Sequence, residues 1–313
     1  MKHVVSVSLG SSRRDHCVET EVGGHKFRIE RIGTNGNIEK AIALIRTLDG
    51  KVDAFGMGGI DLYIQAGRNR YVFKDARRIA AAARLSPIVD GSGLKNTLEK
   101  KALQYLINNG ILDFQGKNVL LVCGVDRFGM AETLVESGAQ VSFGDLVFCL
   151  NIPVLIKSLD TLAAVAGVLG PVVSQLPFQY VYPTGSKQEC ICNKYQKYYD
   201  CHEIIAGDFH YIKKYLPEKI SEKIIITNTV TPEDVQLLQG RGARFLITTT
   251  PEIQGRSFGT NVMEAVLVTL LGKEKKEIPV EEYYQILERV NFQPRVIDFT
   301  EIRSGWDGGE RHG

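Results

Sequence analysis

Short apolar runs alternate with segments of helical period along almost the whole chain. Runs rich in β-branched residues, such as "HVVSVSLG" (3–10) and "NVLLVC" (118–123), have the length and composition of buried strands. Between such runs, segments such as "NIEKAIALIRTL" (37–48) repeat apolar residues every three or four positions, as amphipathic helices do. The alternation predicts an α/β protein with mostly parallel sheets and helices on both faces.

The pattern also predicts two domains. The segment "INNGILDFQGK" (107–117) ends a long helix at Gly110 and leads into the next strand. We therefore expect an N-terminal α/β substrate domain over 1–110, a Rossmann-like nucleotide-binding domain over 111–272, and a C-terminal helix and tail over 273–313. Within the second domain, the apolar run "LVFCLNI" (146–152) is interpreted as a strand.

Composition and charge exclude several classes of protein. The 313 residues carry a formal net charge of +2, which favours neither nucleic acid nor an anionic membrane as a partner. The longest weakly polar stretch, 162–173, is too short to cross a bilayer. The first residues predict a β-strand and not a secretory signal, so we expect a cytoplasmic protein. A homodimer is compatible with the sequence, which does not specify the oligomeric state.

Six cysteines are spread over the chain, and they do not form a recognisable metal motif. Cys123 and Cys149 lie inside apolar runs and are expected to be reduced core residues. The segment "CICNKYQKYYDCH" (190–202) gathers four residues of metal-ligand type: Cys190, Cys192, Cys201 and His202. Its C-x-C start differs from the common zinc knuckle and no second pair follows. We predict no metal, and zinc binding by these four residues stays an open alternative.

The stretch "GKNVLLVCGVDRFGMAETLVESGAQVSFGD" (116–145) predicts a strand, a glycine turn, a helix, a second strand and a terminal acid. Gly124 permits a tight turn and Gly129 a close approach of the helix, so the turn is a candidate cofactor site. Asp145, 21 positions after Gly124, could accept hydrogen bonds from ribose hydroxyls. The turn between the glycines contributes three further candidates: Asp126, Arg127 and Phe128. As a plainer alternative, the glycines only shape the turn and Asp145 caps a helix.

Polar clusters follow several other predicted strands. "PIVDGSGLKN" (87–96) places Asp90, Ser92, Lys95 and Asn96 at a helix start, where they would suit an anion or a hydroxylated substrate. Asp90 or Ser92 could instead only cap that helix. The loops after parallel strands meet at one edge of a sheet, where ligands bind.

Three further loops belong to the same predicted edge. The segments 8–16 and 248–261 contribute candidate substrate ligands, namely Ser11, Ser12, Arg13, Arg256, Ser257 and Asn261. Together with Arg14, the residues of the first segment are suited to a carboxylate or phosphate, although this segment could also be a solvated turn. Arg13 or Arg256 could clamp a substrate carboxylate. "GMGGIDLY" (56–63) adds two glycines and Asp61, although the glycines there could simply permit a close turn.

The order of "VDGSG" (89–93), "FQGKNVLLVCG" (114–124) and "ESGAQVSFGD" (136–145) resembles the middle of the quinate/shikimate dehydrogenase family, and 231–272 is similar to that family's ending. The resemblance implies a two-domain enzyme that oxidises a ring hydroxyl of a cyclic hydroxy acid with NAD(P). It also implies a Lys–Asp pair in the cleft between the domains. Asp90 matches the acid of the pair. Lys74 matches the helix-start context of the family's lysine, and Lys95 is the local alternative.

Two functions remain open from the sequence. The first is an NAD(P)-dependent oxidoreductase, with NAD favoured over NADP because Asp145 would repel a 2′-phosphate. The second is a non-redox α/β protein that has lost the cofactor, either a small-ligand sensor or a phosphate-ester enzyme. The second is favoured by Gly-Val-Asp-Arg at 124–127, where the family has Gly-Ala-Gly-Gly.

Overall fold

The structure is a computed structural model that describes residues 1–66, 69–177, 191–253, 256–272 and 278–300. Its strands, in chain order, are β1 (Lys2–Ser8), β2 (His16–Val22), β3 (His25–Gly33), β4 (Ala54–Gly58), β5 (Tyr63–Ala66), β6 (Asn69–Val72), β7 (Ile88–Val89), β8 (Asn118–Leu121), β9 (Gln140–Phe143), β10 (Ile204–Gly207), β11 (Ile224–Thr227), β12 (Phe245–Thr248), β13 (Glu252–Ile253), β14 (Arg256–Ser257) and β15 (Arg295–Asp298). Its α-helices are α1 (Ile38–Leu48), α2 (Lys74–Ala80), α3 (Ser92–Asn108), α4 (Phe128–Glu136), α5 (Asp145–Phe148), α6 (Leu159–Val173), α7 (Gln196–Asp200), α8 (Phe209–Lys214), α9 (Pro232–Gly240), α10 (Thr260–Leu271) and α11 (Val280–Arg289).

The N-terminal sheet has five strands in the order β2-β3-β1-β4-β7. All neighbours are parallel except β2, which runs antiparallel to β3 at the edge. The valines of β1 are buried, because helices cover both faces of a parallel sheet. β2, which the sequence analysis missed, alternates exposed and half-buried residues as an edge strand does.

The second sheet has six strands in the order β15-β12-β11-β10-β8-β9, and only β15 is antiparallel to its neighbour. Its parallel strands, numbered by their own sequence order, follow the doubly wound arrangement 2-1-3-4-5. The chain direction reverses between β8 and β10, and a crevice opens at the carboxyl ends of these two strands. The predicted fold class, two mostly parallel sheets flanked by helices, is confirmed.

One helix, α3, belongs to the cores of both sheets. Leu94 and Leu98 pack in the core beside the N-terminal sheet, whereas Leu103 and Leu106 pack beside the second sheet. α10 packs on β1, β4 and α3. This placement differs from the prediction, which assigned residues up to 272 to the nucleotide-binding domain, because the apolar face of α10 covers the N-terminal sheet.

The predicted strand at 146–152 is wrong. Residues Asp145–Phe148 form the short helix α5. The ring of Phe148 lies edge-on to Tyr195 and Tyr199, with centroid distances of 5.6 and 6.2 Å. The run is apolar because it is a helical turn packed beneath an aromatic cluster, and burial alone does not distinguish the two kinds of element.

Within the described residues, no helix is both long enough and apolar enough to cross a membrane.

Gly91, which precedes α3, tests how closely α3 and α10 must approach. Its φ of +96° disfavours other residues, and an added Cβ would lie 2.8 Å from the backbone nitrogen of Asn261. We expect Gly91→Ala to lower the free energy of unfolding by about 3 kcal/mol, because backbone strain and a clash combine. Gly110 also has positive φ, +63°, but nothing lies within 4 Å of its Cβ position. In denaturant unfolding, Gly110→Ala should cost only about 1 kcal/mol; equal losses would show that the contact with Asn261 is unimportant.

Candidate functional site

A cleft of about 250 Å³ lies where the carboxyl edges of the two sheets meet. Gly58 and Gly59 contribute from the end of β4, and Asp208 and Asn228 from the ends of β10 and β11. The turn after β8 forms part of the same lining, and α6 supplies an apolar wall. Ligands of doubly wound folds bind at this edge, so the cleft is the candidate site.

A buried lysine connects the two sides of the cleft. Lys95 lies in the first turn of α3, and its Nζ is 2.6 Å from Asp61 Oδ1 and 2.8 Å from Asp126 Oδ1. Asp61 follows β4 of the N-terminal sheet, whereas Asp126 belongs to the turn after β8. The side chain of Lys95 is only 9% exposed. The ammonium group of Lys95 therefore joins the loops of both sheets in a place with little water.

Arg127 extends this ionic chain into the second domain. Its guanidinium is 2% exposed and pairs with Glu99, one turn further along α3 than Lys95. Its Nη2 lies 3.0 Å from Asp208 Oδ2, and its Nε lies 3.3 Å from Asp126 Oδ2. The buried ionic chain, as we name it, thus consists of two cations and four carboxyl groups: Lys95, Arg127, Asp61, Glu99, Asp126 and Asp208.

The carboxyl groups of this chain differ in their ease of ionisation. Burial and the nearby charge of Asp126 raise the pKa of Asp61 to about 7, although Lys95 opposes the increase. Burial also acts against ionisation of Asp126, but Lys95 and Arg127 outweigh it and lower the pKa of Asp126. Burial raises the pKa of Glu99 in spite of Arg127. Asp126 therefore carries the negative charge beside Lys95, and Asp61 holds a proton up to about neutral pH.

Asp90 lies in the cleft, and its carboxylate is engaged by its own loop. It accepts hydrogen bonds from the backbone N–H of Leu62 and the hydroxyl of Ser92, both at 2.5 Å. The following residue, Gly91, donates its N–H to Glu264 Oε2 on α10 at 2.6 Å. Burial and the charge of Asp90 raise the pKa of Glu264 to about 8. The loop is thus held in place from both sides, consistent with capping as well as with ligand contact.

Asp145 binds the glycine turn itself. Its Oδ2 accepts the N–H of Gly124 and its Oδ1 the N–H of Val125, both at 2.9 Å. The N–H of Arg127 donates to the carbonyl of Gly124 at 3.2 Å. Burial raises the pKa of Asp145 to about 6, and the two backbone hydrogen bonds limit the increase. The first two N–H groups of the turn are therefore bonded within the protein.

Gly129 permits the contact between α3 and α4. A Cβ at Gly129 would lie 3.0 Å from the Cα of Asn96, and its N–H donates to Asn96 Oδ1 at 3.2 Å. Asn96 thus holds the start of α4, and it lies outside the lining of the cleft. Phe128 is 8% exposed and packs in the core of the second sheet. The close approach at Gly129 is therefore between two helices, whereas the sequence predicted an approach of helix and strand.

Of the two candidate lysines, the structure brings Lys95 and not Lys74 into the cleft. Lys74 begins α2, where its side chain is exposed. Asn261 lines the cleft and donates to Ser6 Oγ at 2.8 Å. Four other predicted substrate ligands, Ser11, Ser12, Arg13 and Ser92, are not part of the lining. The side chains of Arg256 and Ser257 lie outside the described residues.

The cysteine-rich segment does not assemble a ligand set in the part of the chain that the structure describes. Cys192 and Cys201 are exposed, and Cys190 lies outside the described residues. His202 is buried, with Nδ1 2.6 Å from the carbonyl of Tyr198 and Nε2 2.8 Å from Ser142 Oγ. Both ring nitrogens therefore have partners in the core.

Two residues of the buried ionic chain, Asp208 and Glu99, were not predicted from the sequence. Asp208 was missed because the strand before it, "IIAG" (204–207), is only four residues long and ends in two residues with low strand preference. The signal that could have indicated Asp208 is its position between a strand, Ile204–Gly207, and the start of a helix, Phe209–Lys214. Glu99 lies inside a helix, and only its spacing of four residues from Lys95 places the two on one face.

Replacing Arg127 tests whether the buried carboxylates around it depend on its positive charge. Arg127→Met would leave the carboxylates of Glu99, Asp126 and Asp208 without their shared cation. We expect a loss of about 3–5 kcal/mol in the free energy of unfolding. Arg78→Met is the matched control, because Arg78 pairs with Glu39 at the surface, where the two side chains are 57% and 69% exposed. Denaturant unfolding should show a change within about 0.5 kcal/mol for the control; similar losses for both would contradict the role of Arg127.

The raised pKa of Asp61 predicts how stability depends on pH. Unfolded chains release this proton near pH 4, whereas the folded protein holds it to about pH 7. The folded state binds more protons in that interval, so the free energy of unfolding should fall as pH rises from about 4 to 7. The contribution is at most about 1.4 kcal/mol per pH unit.

Asp61→Asn, a neutral analogue of the protonated acid, should remove this contribution from the slope of unfolding free energy against pH. Asp200→Asn, which removes an exposed carboxylate, is the matched control. An unchanged slope in Asp61→Asn would mean that Asp61 is ionised in the folded protein.

Comparison with solved structures finds proteins of low identity. A solute-binding protein of an ABC transporter from Agrobacterium vitis, with bound allitol, is 13% identical with a TM-score of 0.39, covering 98% of each chain. Glutamate dehydrogenase from Thermus thermophilus, in its leucine-bound form, is 13% identical with a TM-score of 0.42, covering 93% of this chain and 73% of that one. An NAD-dependent malic enzyme from Thermotoga maritima is 12% identical with a TM-score of 0.35, covering 92% and 84%. A search of curated proteins finds no match.

Two protein families match consecutive parts of the sequence. The family described as Domain of unknown function (DUF8753) matches residues 3–90. The family described as Domain of unknown function (DUF8754) matches residues 93–299, and the two matches meet at the loop before α3. Since the second match spans more than half of the 313 residues, the chain belongs to the DUF8754 family.

Proposed function

We propose that the protein binds a small polar molecule in the cleft between its two sheets and does not use a nicotinamide cofactor. The observation that carries the proposal is the position of Asp145. Its carboxylate accepts the N–H groups of Gly124 and Val125, the first two backbone donors of the glycine turn after β8. A dinucleotide would have to displace a buried, doubly hydrogen-bonded acid.

The charges of the lining give the second argument. Five carboxyl groups line the cleft, against two cationic side chains. The acids are Asp61, Asp90, Asp126, Asp145 and Asp208, and the cations are Lys95 and Arg127. A pyrophosphate with its two negative charges is disfavoured there, whereas ammonium or hydroxyl donors are favoured. The non-redox binding function is therefore better supported than the dehydrogenase.

The remaining lining suits a ligand with one polar and one apolar face. Thr260 is 5% exposed, and its hydroxyl has no hydrogen-bond partner among the described residues. A buried hydroxyl without a partner costs about 1–3 kcal/mol, so a ligand atom that bonds to it gains affinity. On the opposite side, Val165, Leu169 and Val173 of α6 form an apolar wall. A compact hydroxylated or amino-bearing molecule matches this combination.

The NAD-dependent dehydrogenase remains the second candidate, and one observation favours it. Asp90 and Lys95 line the same cleft, as the family resemblance implies for the Lys–Asp pair. In that function the pair would hold the reacting hydroxyl of the substrate and take up its proton. The turn as it stands does not fit a pyrophosphate, since Gly124 and Val125 donate to Asp145, so we assign no step to a cofactor.

Titration calorimetry separates the two functions. We expect no saturable heat with NAD or NADP at millimolar concentrations. A thermal-shift screen of sugars, polyols, amino acids and cyclic hydroxy acids should give saturable stabilisation, because ligands that bind only the folded state raise its stability. Saturable binding of NAD would overturn the proposal and favour the dehydrogenase.

Two neighbouring substitutions on α6 locate the ligand. Leu169 lines the cleft, whereas Val168 is 73% exposed. Leu169→Trp should fill the cleft and abolish the stabilisation by a screened ligand, and Val168→Trp should leave it unchanged. A ligand that binds both variants equally well would lie elsewhere.

A further inference from the structure

A second cavity of about 110 Å³ adjoins the cleft on the side of the N-terminal sheet. The two share part of their lining, namely Gly58, Gly59, His210, Thr229 and Asn261. The volume exceeds several-fold the ~15 Å³ that one water molecule requires. A ligand in the cleft could therefore extend one functional group into the second cavity without a change of the fold.

Arg31 is the buried cation of this cavity. Its side chain is 14% exposed, and its Nη1 is 2.8 Å from Asp15 Oδ1 and its Nη2 3.0 Å from Ser8 Oγ. Burial and the nearby charge of Arg14 lower the pKa of Arg31 to about 10. The guanidinium of Arg31 remains charged at neutral pH. Asp15 compensates one positive charge of the pair Arg14 and Arg31.

Arg14 is the second cation. It lines the cavity at the end of the short 3₁₀ turn Ser12–Arg14, and its Nη1 lies 3.1 Å from His210 Nε2. Burial and Arg14 lower the pKa of His210 to about 4, so the neutral ring accepts this hydrogen bond. Among the described residues, no carboxylate forms an ion pair with Arg14. The cavity therefore has an excess of positive charge, in contrast to the acidic cleft beside it.

The start of α10 reinforces this charge. Gly259, Asn261 and Val262 line the cavity, so the positive end of the dipole of this 12-residue helix faces it. Two guanidinium groups, a helix N-terminus and hydroxyls such as that of Ser8 are the donors that carboxylates and phosphates prefer.

We propose that Arg14 and Arg31 bind a carboxylate or phosphate group of the ligand whose body lies in the cleft. The proposal rests on the proposed function, and it narrows the ligand to an organic acid or phosphate monoester that also carries hydroxyl or amino donors. From the sequence, the whole turn of Ser11, Ser12, Arg13 and Arg14 is suited to a carboxylate or phosphate, with Arg13 or Arg256 as the expected clamp of a substrate carboxylate. Of this turn, Arg14 lines the second cavity and Arg13 does not, and Arg31, which pairs with Asp15, is the cation added by the structure.

Inorganic phosphate is the direct probe of the second cavity. Titrated at constant ionic strength, it should stabilise the wild-type protein saturably in thermal unfolding. Arg14→Gln should weaken this binding roughly tenfold or more, because a charge-assisted hydrogen bond is lost. Arg13→Gln removes the neighbouring arginine, which does not line the cavity, and should change the affinity by less than about twofold. No saturable effect of phosphate, or equal effects of the two variants, would overturn the proposal.

Comparing an organic acid with its amide tests the anion site independently of the proposed function. An organic acid found in the screen should lose affinity in Arg14→Gln, whereas its uncharged amide should bind both proteins alike. If acid and amide respond equally, the anion site is wrong although the cleft binds ligands. If phosphate binding depends on Arg14 but no organic molecule responds to Leu169→Trp, the proposed function is wrong and the anion site stands. Comparing acetate with phosphate then distinguishes a carboxylate from a phosphate ligand.

Discussion

The pairing of Lys95 with Asp61 and Asp126 holds the two halves of the molecule in their relative positions. α3 carries Lys95 and Glu99 on one face, and it also carries leucines that pack in the cores of both sheets. The ionic contacts and the apolar contacts of one helix therefore fix the same geometry. Buried ion pairs contribute little net stability but penalise every arrangement that leaves a charge unpaired. The cleft keeps its shape because the charged side chains of the buried ionic chain have few other ways to pair.

The need to pair every buried charge also explains why the glycine turn contains Asp126 and Arg127. Asp126 and Arg127 occupy positions where a dinucleotide-binding turn presents small residues, and both side chains turn toward α3 to complete the ionic chain. The N–H groups of Gly124 and Val125 then donate to Asp145. Because these two donors and the charged side chains of the turn have partners within the protein, the turn does not depend on a bound anion for its charge balance. The order of strand, glycine turn, helix and strand is present, whereas the side chains of the turn and two of its N–H groups bond within the protein.

The fold could be predicted from periodicity because strand and helix patterns depend on local burial. Short elements such as the strand "IIAG" (204–207) were not predicted, because four residues give almost no periodic signal. Asp145 was found at the correct place in the chain, but its partners depend on the path of the turn. Arg127 lies in a polar turn and would be expected at the surface. Only the fold brings it to Glu99 and Asp208, which are 28 and 81 residues away.

The cleft and the second cavity carry opposite charge: carboxyl groups predominate in the cleft and arginines in the second cavity. The acidic lining comes from loops that follow strands of both sheets, whereas Arg14 lies in the turn after β1 and Arg31 lies in β3. Asn261 and His210 lie on the boundary, since both line the cleft and the second cavity. A molecule with donors at one end and an anion at the other would meet complementary charge in only one orientation. The opposed fields of the two compartments would orient such a molecule.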